Sequence, residues 1–92
     1  MQIQVRSFAR IREAIGGDLI VEVPDGAPLA RLLAVVGDVS EEAQNALFEE
    51  NGELKGYVIL MRNGKRVRQG DIDALALADG DEIALFPPVA GG

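Results

Sequence analysis

Residues 79–92 read DGDEIALFPPVAGG and contain the clearest structural signals of this chain. Asp79-Gly80 is typical of a tight turn. The run from Asp81 to Phe86 alternates between the two faces of a strand, with Ile83 and Leu85 on one face. Pro87-Pro88 ends strand pairing, because proline has no N–H to donate to a neighbouring strand. The stretch therefore predicts a last strand followed directly by a tail.

The tail is predicted to be extended and to be inserted into a partner protein. It consists of Pro87, Pro88, Val89, Ala90, Gly91 and Gly92. The two prolines favour stiff, extended backbone, and six residues can reach about 20 Å. The diglycine has no side chains, so a partner can close around its backbone. A diglycine can also be an unstructured end or a cloning remnant, but its position after the prolines favours delivery of the Gly92 carboxylate into another protein's active site.

The rest of the chain predicts an α+β domain over residues 1–86. Strands are predicted at 2–6, 18–23, 57–62, 65–68 and 81–86, and a short helix at 9–15. A main helix is predicted from Pro28 to Gly37, because Leu29, Leu32, Leu33 and Val36 recur at helical spacing. Ser40 is predicted to cap a second helical segment, Asn63-Gly64 to form a type I′ turn, and residues 71–75 to form a short turn or helix.

Two phenylalanines lie on the unexpected faces of their strands. Phe8 shares the parity of Gln4 and Arg6, and Phe86 shares the parity of Glu82, whereas the apolar residues of both strands face the other way. If the first and last strands are adjacent and parallel, the two rings are neighbours on the solvent face, beside the start of the tail. An exposed aromatic patch usually marks a binding surface. The alternative is that a strand end bends or that the short helix covers Phe8.

The composition excludes several kinds of catalytic and metal site. The chain of 92 residues has no cysteine and no histidine. It therefore has no disulfide, no thiolate nucleophile, no Ser-His or Cys-His pair, and no metal site built on these ligands. The acidic pairs, Asp71 with Asp73 and Asp79 with Asp81, are interpreted as turn and cap residues and not as metal ligands or catalytic groups.

The charge and hydropathy patterns favour protein partners. The net charge of −6 disfavours binding to nucleic acid, because the field of the protein repels polyanions. No apolar run is long enough to span a membrane, and the first residues predict a strand and not a signal peptide. We therefore expect a cytoplasmic protein that binds neither nucleic acid nor membranes.

The chain resembles the MoaD family, the small subunit of molybdopterin synthase, which belongs to the ubiquitin-like β-grasp superfamily. The resemblance covers the whole chain and is strongest at FARIRE (residues 8–13) and at residues 79–92. It implies a β-grasp fold, with a mixed sheet of four to five strands packed on one main helix. Sulfur carriers for cysteine synthesis look similar but tend to lack the double proline, and those for thiamine synthesis are usually shorter.

The resemblance also implies a mechanism in which the chain has no autonomous active site. An E1-like, MoeB-like enzyme would use ATP to adenylate the Gly92 carboxylate, and a sulfur donor would convert the adenylate to a thiocarboxylate. The tail would then enter a MoaE-like large subunit and donate sulfur to cyclic pyranopterin monophosphate, in molybdenum cofactor biosynthesis. No bound cofactor is implied. A carboxyl-end carrier agrees with the absence of cysteine, since a persulfide needs a cysteine.

The family's docking residues transfer to four positions of this sequence. Phe8 and Phe86 match hydrophobic residues that MoaD proteins use on the activating enzyme, and Arg12 matches a basic residue beside them. A third docking position, which is usually apolar in the family, falls on Arg66. The alignment with the family is loose over residues 51–56, which precede this position.

Other functions remain open from the sequence. SAMP-type archaeal relatives are ubiquitin-like modifiers that are attached through the same diglycine to lysines, and Lys55 and Lys65 would be the chain-linking candidates. The chain could also carry sulfur for another pathway or act as a non-covalent β-grasp interaction domain. The sequence does not distinguish molybdenum from tungsten or fix the oligomeric state.

Overall fold

The computed structural model describes residues 1–88. Its elements follow the predicted order and are β1 (Gln2–Ser7), α1 (Ala9–Ile15), β2 (Leu19–Glu22), α2 (Leu29–Gly37), α3 (Glu41–Leu47), β3 (Ile59–Arg62), β4 (Lys65–Val67), a short 3₁₀ helix (Gln69–Asp71) and β5 (Glu82–Phe86). The five strands form one sheet in the order β2-β1-β5-β3-β4. β1 and β5 are parallel, and the other neighbours are antiparallel. The sheet is therefore mixed, as expected for a β-grasp fold.

The core lies between one face of the sheet and the helices. Alternation along the strands buries one side of each, and the fully buried apolar residues of the sheet are Ile3, Val5, Leu60, Ile83 and Leu85. The four α2 residues predicted from helical spacing are all buried against them. Ser40 caps α3 as predicted, since its Oγ accepts a hydrogen bond of 3.0 Å from the Ala43 N–H. The opposite side of the sheet is called here the outer face.

The hairpin between β3 and β4 has the predicted turn. Asn63 and Gly64 have φ angles of 49° and 83°. Positive φ at both central residues defines the type I′ turn, which matches the twist of the flanking strands. Arg62 and Lys65 pair across it. The turn therefore fixes the register of β4, and with it the face to which Arg66 belongs.

Several predicted boundaries were wrong by one or two residues. The strand predicted at 57–62 begins at Ile59, and the one predicted at 81–86 begins at Glu82. The short turn or helix predicted at 71–75 is confirmed as a turn at residues 72–74, and a 3₁₀ helix at Gln69–Asp71 precedes it. The position of the 3₁₀ helix follows from the Gln69 side chain, whose Nε2 donates to the carbonyl oxygens of Lys55 at 2.9 Å and Val58 at 2.8 Å. This long-range anchor has no local sequence signal.

The described part of the chain contains no helix that could cross a bilayer. Residues 1–88 also bring together no group of three acidic side chains that could hold a metal ion.

Candidate functional site

Phe8 and Phe86 form a stacked pair at one end of the sheet. β1 and β5 run parallel with Ser7 opposite Leu85, and the Phe8 N–H donates to the Leu85 carbonyl at 3.2 Å. This register brings the ring centroids to 4.3 Å, with an angle of 6° between the planes. The prediction that the two rings are neighbours is confirmed. Such pairs contribute about 0.5–1.5 kcal/mol beyond the area they bury.

Both rings of the pair are half-buried and not fully exposed. Each covers one side of the other, and Ile59 lies opposite Phe86 on β3. The two rings therefore form a partly exposed apolar patch at the end of the outer face, and not the fully exposed patch that the sequence predicts. Pro87, which follows Phe86 directly, is also half-buried, and Pro88 is exposed. Val89, Ala90, Gly91 and Gly92, predicted to form the end of the inserted tail, lie outside the described residues.

Ala9 gives the chain a sharp bend directly after Phe8. Its φ is 52°, in the left-handed region that residues other than glycine rarely adopt. Phe8 itself is extended, with φ −136° and ψ 150°, so its ring still follows the parity of β1. The bend lets α1 begin immediately after the strand without turning the Phe8 ring away from Phe86. Strain of this kind is often found at functional sites.

We expect the Ala9→Gly variant to be at least as stable as the unchanged chain, and the Ala9→Val variant to be less stable than both. Valine at a left-handed φ should lower the free energy of unfolding by about 1–2 kcal/mol, whereas glycine relieves the strain. An ordinary helical position would rank alanine above valine and valine above glycine. Denaturant unfolding of the three proteins distinguishes the two orders, and the helical order would contradict the bend at Ala9.

A charged cluster adjoins the aromatic pair on the β2 side. The Arg12 Nη1 lies 2.7 Å from Asp18 Oδ1. Arg6 lies 4.0 Å from Asp18 and 3.8 Å from Glu82, and its guanidinium carbon lies 5.3 Å from the Phe8 ring centroid. Arg12, predicted beside the docking surface, is thus linked to it through Asp18 and Arg6. The role of Arg6 was not predicted, although its parity with Phe8 was a usable signal.

Arg66 lies on the outer face, but not in contact with the aromatic pair. It is opposite Met61 on β3, and Met61 is opposite Ala84 on β5, so Arg66 is two strands away from the strand of Phe86. Its side chain is exposed. The structure therefore places three of the predicted docking residues near one another and the fourth farther along the same face.

Asp79 and Asp81 hold backbone groups, as predicted for turn and cap residues. Asp79 accepts from the Gln2 N–H at 2.7 Å, and Asp81 accepts from the Ala78 N–H at 2.8 Å. Asp81 also accepts from Arg62 Nε and Asn63 Nδ2, each at 2.9 Å. Burial raises the pKa of Asp81, but these hydrogen bonds and the Arg62 charge outweigh it and hold the pKa below its ordinary value. Asp81 therefore locks the hairpin to β5.

The described residues offer docking surfaces more readily than catalytic groups. Without cysteine or histidine, the side chains that surround the aromatic pair are phenylalanines, arginines and paired carboxylates. Such groups bind and orient a partner.

Comparisons with known proteins agree with this arrangement. The profile of the ThiS family matches residues 5–92. The chain is 38% identical over 93 residues to "Small archaeal modifier protein 3" of Haloferax volcanii, which it covers completely and which covers it completely. It is 39% identical over 93 residues to a "Molybdopterin synthase sulfur carrier subunit" of Chlamydomonas reinhardtii, again over the full length of both chains.

Solved structures show the same fold. The crystal structure of SAMP1 from Haloferax volcanii superposes with a TM-score of 0.87 at 31% identity, over 100% of both chains. A complex of subunits 1 and 2 of the molybdopterin-converting factor of Helicobacter pylori contains a chain that matches at a TM-score of 0.68 and 25% identity, also over 100% of both chains. The fold is therefore a ubiquitin-like β-grasp fold, as predicted, and the chain belongs to the ThiS/MoaD family of ubiquitin-like sulfur carriers.

Proposed function

We propose that this chain is the sulfur-carrying small subunit of a molybdopterin synthase. The single observation that supports it most is the stacked Phe8–Phe86 pair. Phe86 is the last residue of β5, and the tail begins directly after it with Pro87-Pro88. A partner that grips the pair would receive the tail in one defined direction. A relative of 39% identity is named as a synthase sulfur carrier, and a solved neighbour is a complex of the two converting-factor subunits.

The proposed chemistry takes place at the Gly92 carboxylate. A free carboxylate is a poor electrophile, so an E1-like enzyme first joins it to the AMP part of ATP, with release of pyrophosphate. A donor that supplies sulfur at the oxidation level of hydrosulfide then attacks the acyl carbon, AMP leaves, and a thiocarboxylate remains. In the large subunit, the thiocarboxylate sulfur would bond to cyclic pyranopterin monophosphate, and water would then hydrolyse the acyl–sulfur bond, which leaves the sulfur on the substrate and regenerates the carboxylate. The residues of the domain contribute by binding the partner. The prolines keep the tail extended, and the glycines let it enter a narrow active site.

The intact mass of the chain tests the first half of this proposal. We expect that incubation with ATP, an E1-like activating enzyme and a sulfur donor adds the mass difference between sulfur and oxygen. A chain that lacks Gly92 is the matched control and should not change. Unchanged mass of the full chain, with an activating enzyme that thiocarboxylates its own carrier in parallel, would overturn the proposal.

A ubiquitin-like modifier is the second candidate, because a relative of 38% identity over the whole chain is named as a small archaeal modifier. In that function, the activated Gly92 carbonyl would be attacked by a lysine amine of another protein instead of by sulfur. Deletion of the gene distinguishes the two functions. Loss of molybdopterin would support sulfur transfer, whereas intact molybdopterin together with loss of diglycine-modified lysines would support the modifier.

A further inference from the structure

The β4 edge of the sheet is strongly basic in an otherwise acidic protein. Lys65, Arg66 and Arg68, called here the β4 basic edge, are all exposed. Among residues 1–88, the ion pairs of the structure involve Arg6, Arg12, Arg62 and the N-terminal amine, and none involves these three side chains. The whole chain carries a net charge of −6. Within the described residues, three cations without carboxylate partners therefore follow one another along one edge of the sheet. By strand alternation Arg66 and Arg68 belong to the outer face, whereas Lys65, which is opposite Arg62, belongs to the other face.

β4 is also an open edge of the sheet. Within residues 1–88 it is the outermost strand and pairs only with β3. Arg62 and Lys65 close a two-residue turn, and in such hairpins this pair is hydrogen-bonded and the next pair, Met61 with Arg66, is not. The backbone N–H and C=O of Arg66 consequently point away from β3. The centre of the basic edge thus offers one free donor and one free acceptor to a further strand.

An apolar strip connects this edge with the aromatic pair. Met61 and Ile59 are half-buried on the outer face of β3, and Ile59 lies opposite Phe86. Arg66 lies opposite Met61 on the other side. A strand added beside β4 would therefore lie next to the cationic side chains at the edge, with β4 between it and the apolar strip on β3.

We propose that the β4 basic edge is a docking site for an extended, acidic segment of a partner protein. The segment pairs with the free N–H and C=O of Arg66 and places its carboxylates near Lys65, Arg66 and Arg68. Charge complementarity selects this occupant, because an acidic segment is attracted here and repelled by the rest of the surface. The inference goes beyond the proposed function, since neither sulfur transfer nor conjugation requires a basic sheet edge.

A different explanation is that the charges only protect the edge from aggregation. Charged residues, lysine above all, are a common device against edge-to-edge pairing. That explanation predicts no selective binding of acidic peptides. It also predicts that charge reversal is tolerated, because glutamates at the edge repel neighbouring sheets equally well.

A titration of the ¹⁵N-labelled chain with synthetic peptides separates these explanations. The probe is a short peptide that alternates glutamate and valine, and the control has lysine in place of glutamate. We expect the acidic peptide to shift the amide resonance of Arg66 and those of its β4 neighbours, and the basic peptide to shift none of them. A single-stranded oligothymidylate is the third probe. Shifts with the oligonucleotide but not with the acidic peptide would overturn the proposal in favour of nucleic acid.

Substitutions then locate the interaction. Reversal of all three charges to glutamate should weaken binding of the acidic peptide at least about tenfold, because each exposed ion pair contributes little but the three losses act together. Arg31→Glu is the matched control, because Arg31 is an exposed arginine on α2, and it should leave binding within about twofold. Single Lys65→Glu and Arg68→Glu variants should each show a smaller loss, which guards against misfolding of the triple variant.

Arg66→Pro compared with Arg66→Ala tests the added strand itself. Proline is tolerated on an edge strand where the N–H faces solvent, so both variants should fold. Both remove the guanidinium, but only proline removes the outward N–H. We expect proline to weaken binding further than alanine. Equal affinities would mean that the segment binds by charge alone, and unchanged affinity in every variant would overturn the proposal.

Discussion

Phe86→Asp is expected to weaken binding to an E1-like activating enzyme by at least about 30-fold, while the chain stays folded. A well-packed aromatic residue at the centre of an interface typically contributes about 2 kcal/mol or more, which corresponds to this ratio. Phe86 is half-buried at the end of β5, and its ring stacks on Phe8. Loss of the stack should cost the fold about 0.5–1.5 kcal/mol in addition to the lost apolar burial of the ring, which is partial because Phe86 is only half-buried. The substitution therefore separates docking from folding.

Ile20→Asp is the matched control for this experiment. Ile20 lies on the same outer face, opposite Gln4, and is 68% exposed. The same apolar-to-charged change there should leave the affinity for the activating enzyme nearly unchanged, because Ile20 lies outside the aromatic pair. Phe86→Leu should retain part of the affinity. Titration calorimetry gives the affinities, and denaturant unfolding shows that each variant is folded. Equal effects of Phe86→Asp and Ile20→Asp would remove the aromatic pair from the docking surface.

The position of the aromatic pair could be predicted from the sequence because it depends on local alternation. The parity of Phe8 and of Phe86 follows from residues next to them in the chain. Only one long-range assumption was needed, that β1 and β5 are parallel neighbours, and the structure confirms it. The Asn63-Gly64 turn was predictable for the same reason, since two adjacent residues specify it.

The features that were not predicted depend on partners distant in sequence. The side-chain hydrogen bonds that Asp81 accepts come from Arg62 and Asn63, 19 and 18 residues earlier. The local sequence indicated only its role as a turn residue, which the bond from the Ala78 N–H fulfils. The Gln69 side chain that fixes the 3₁₀ helix likewise binds carbonyl groups 14 and 11 residues away. Nothing in the local pattern indicated the left-handed φ of Ala9 either, because alanine is ordinarily a strong helix former.

The two ends of the sheet's outer face therefore have different physical origins. The aromatic pair arises from two strand ends that alternate correctly and happen to be parallel. The β4 side of that face depends on the β3–β4 hairpin, whose register is set by its turn and whose place against β5 is fixed by the β3–β5 pairing and by Asp81. If Asp81 were lost, the hairpin that carries Arg66 would lose a main attachment to β5, while β1 and β5 would still pair and Phe8 would still contact Phe86.

Asp81→Asn is accordingly expected to lower the free energy of unfolding by about 3 kcal/mol near neutral pH. The figure is the low end of the range for breaking a buried charged pair. It applies because the Asp81 side chain is only 9% exposed. The low end is chosen because the Arg62 side chain is 27% exposed, so water partly solvates its charge. An asparagine can still accept one hydrogen bond, but its amide N–H₂ cannot replace the second carboxylate oxygen, and Arg62 loses its counter-charge. Asp73→Asn, at an exposed acidic residue, removes the same charge and should change stability by less than about 0.5 kcal/mol.

The pH dependence of this difference distinguishes a charge effect from a packing effect. The pKa of Asp81 is lower in the folded protein than its ordinary value of 3.8, so the ionised form is the one that folding favours. Its contribution is fully present above the unfolded-state pKa and is lost as the pH falls through the lower folded-state pKa. Denaturant unfolding should therefore show a constant gap between the two proteins above about pH 5, which narrows as the solution becomes more acidic. A gap of constant size down to the most acidic pH would mean that Asp81 acts by shape alone, and that its charge does not hold the hairpin in place.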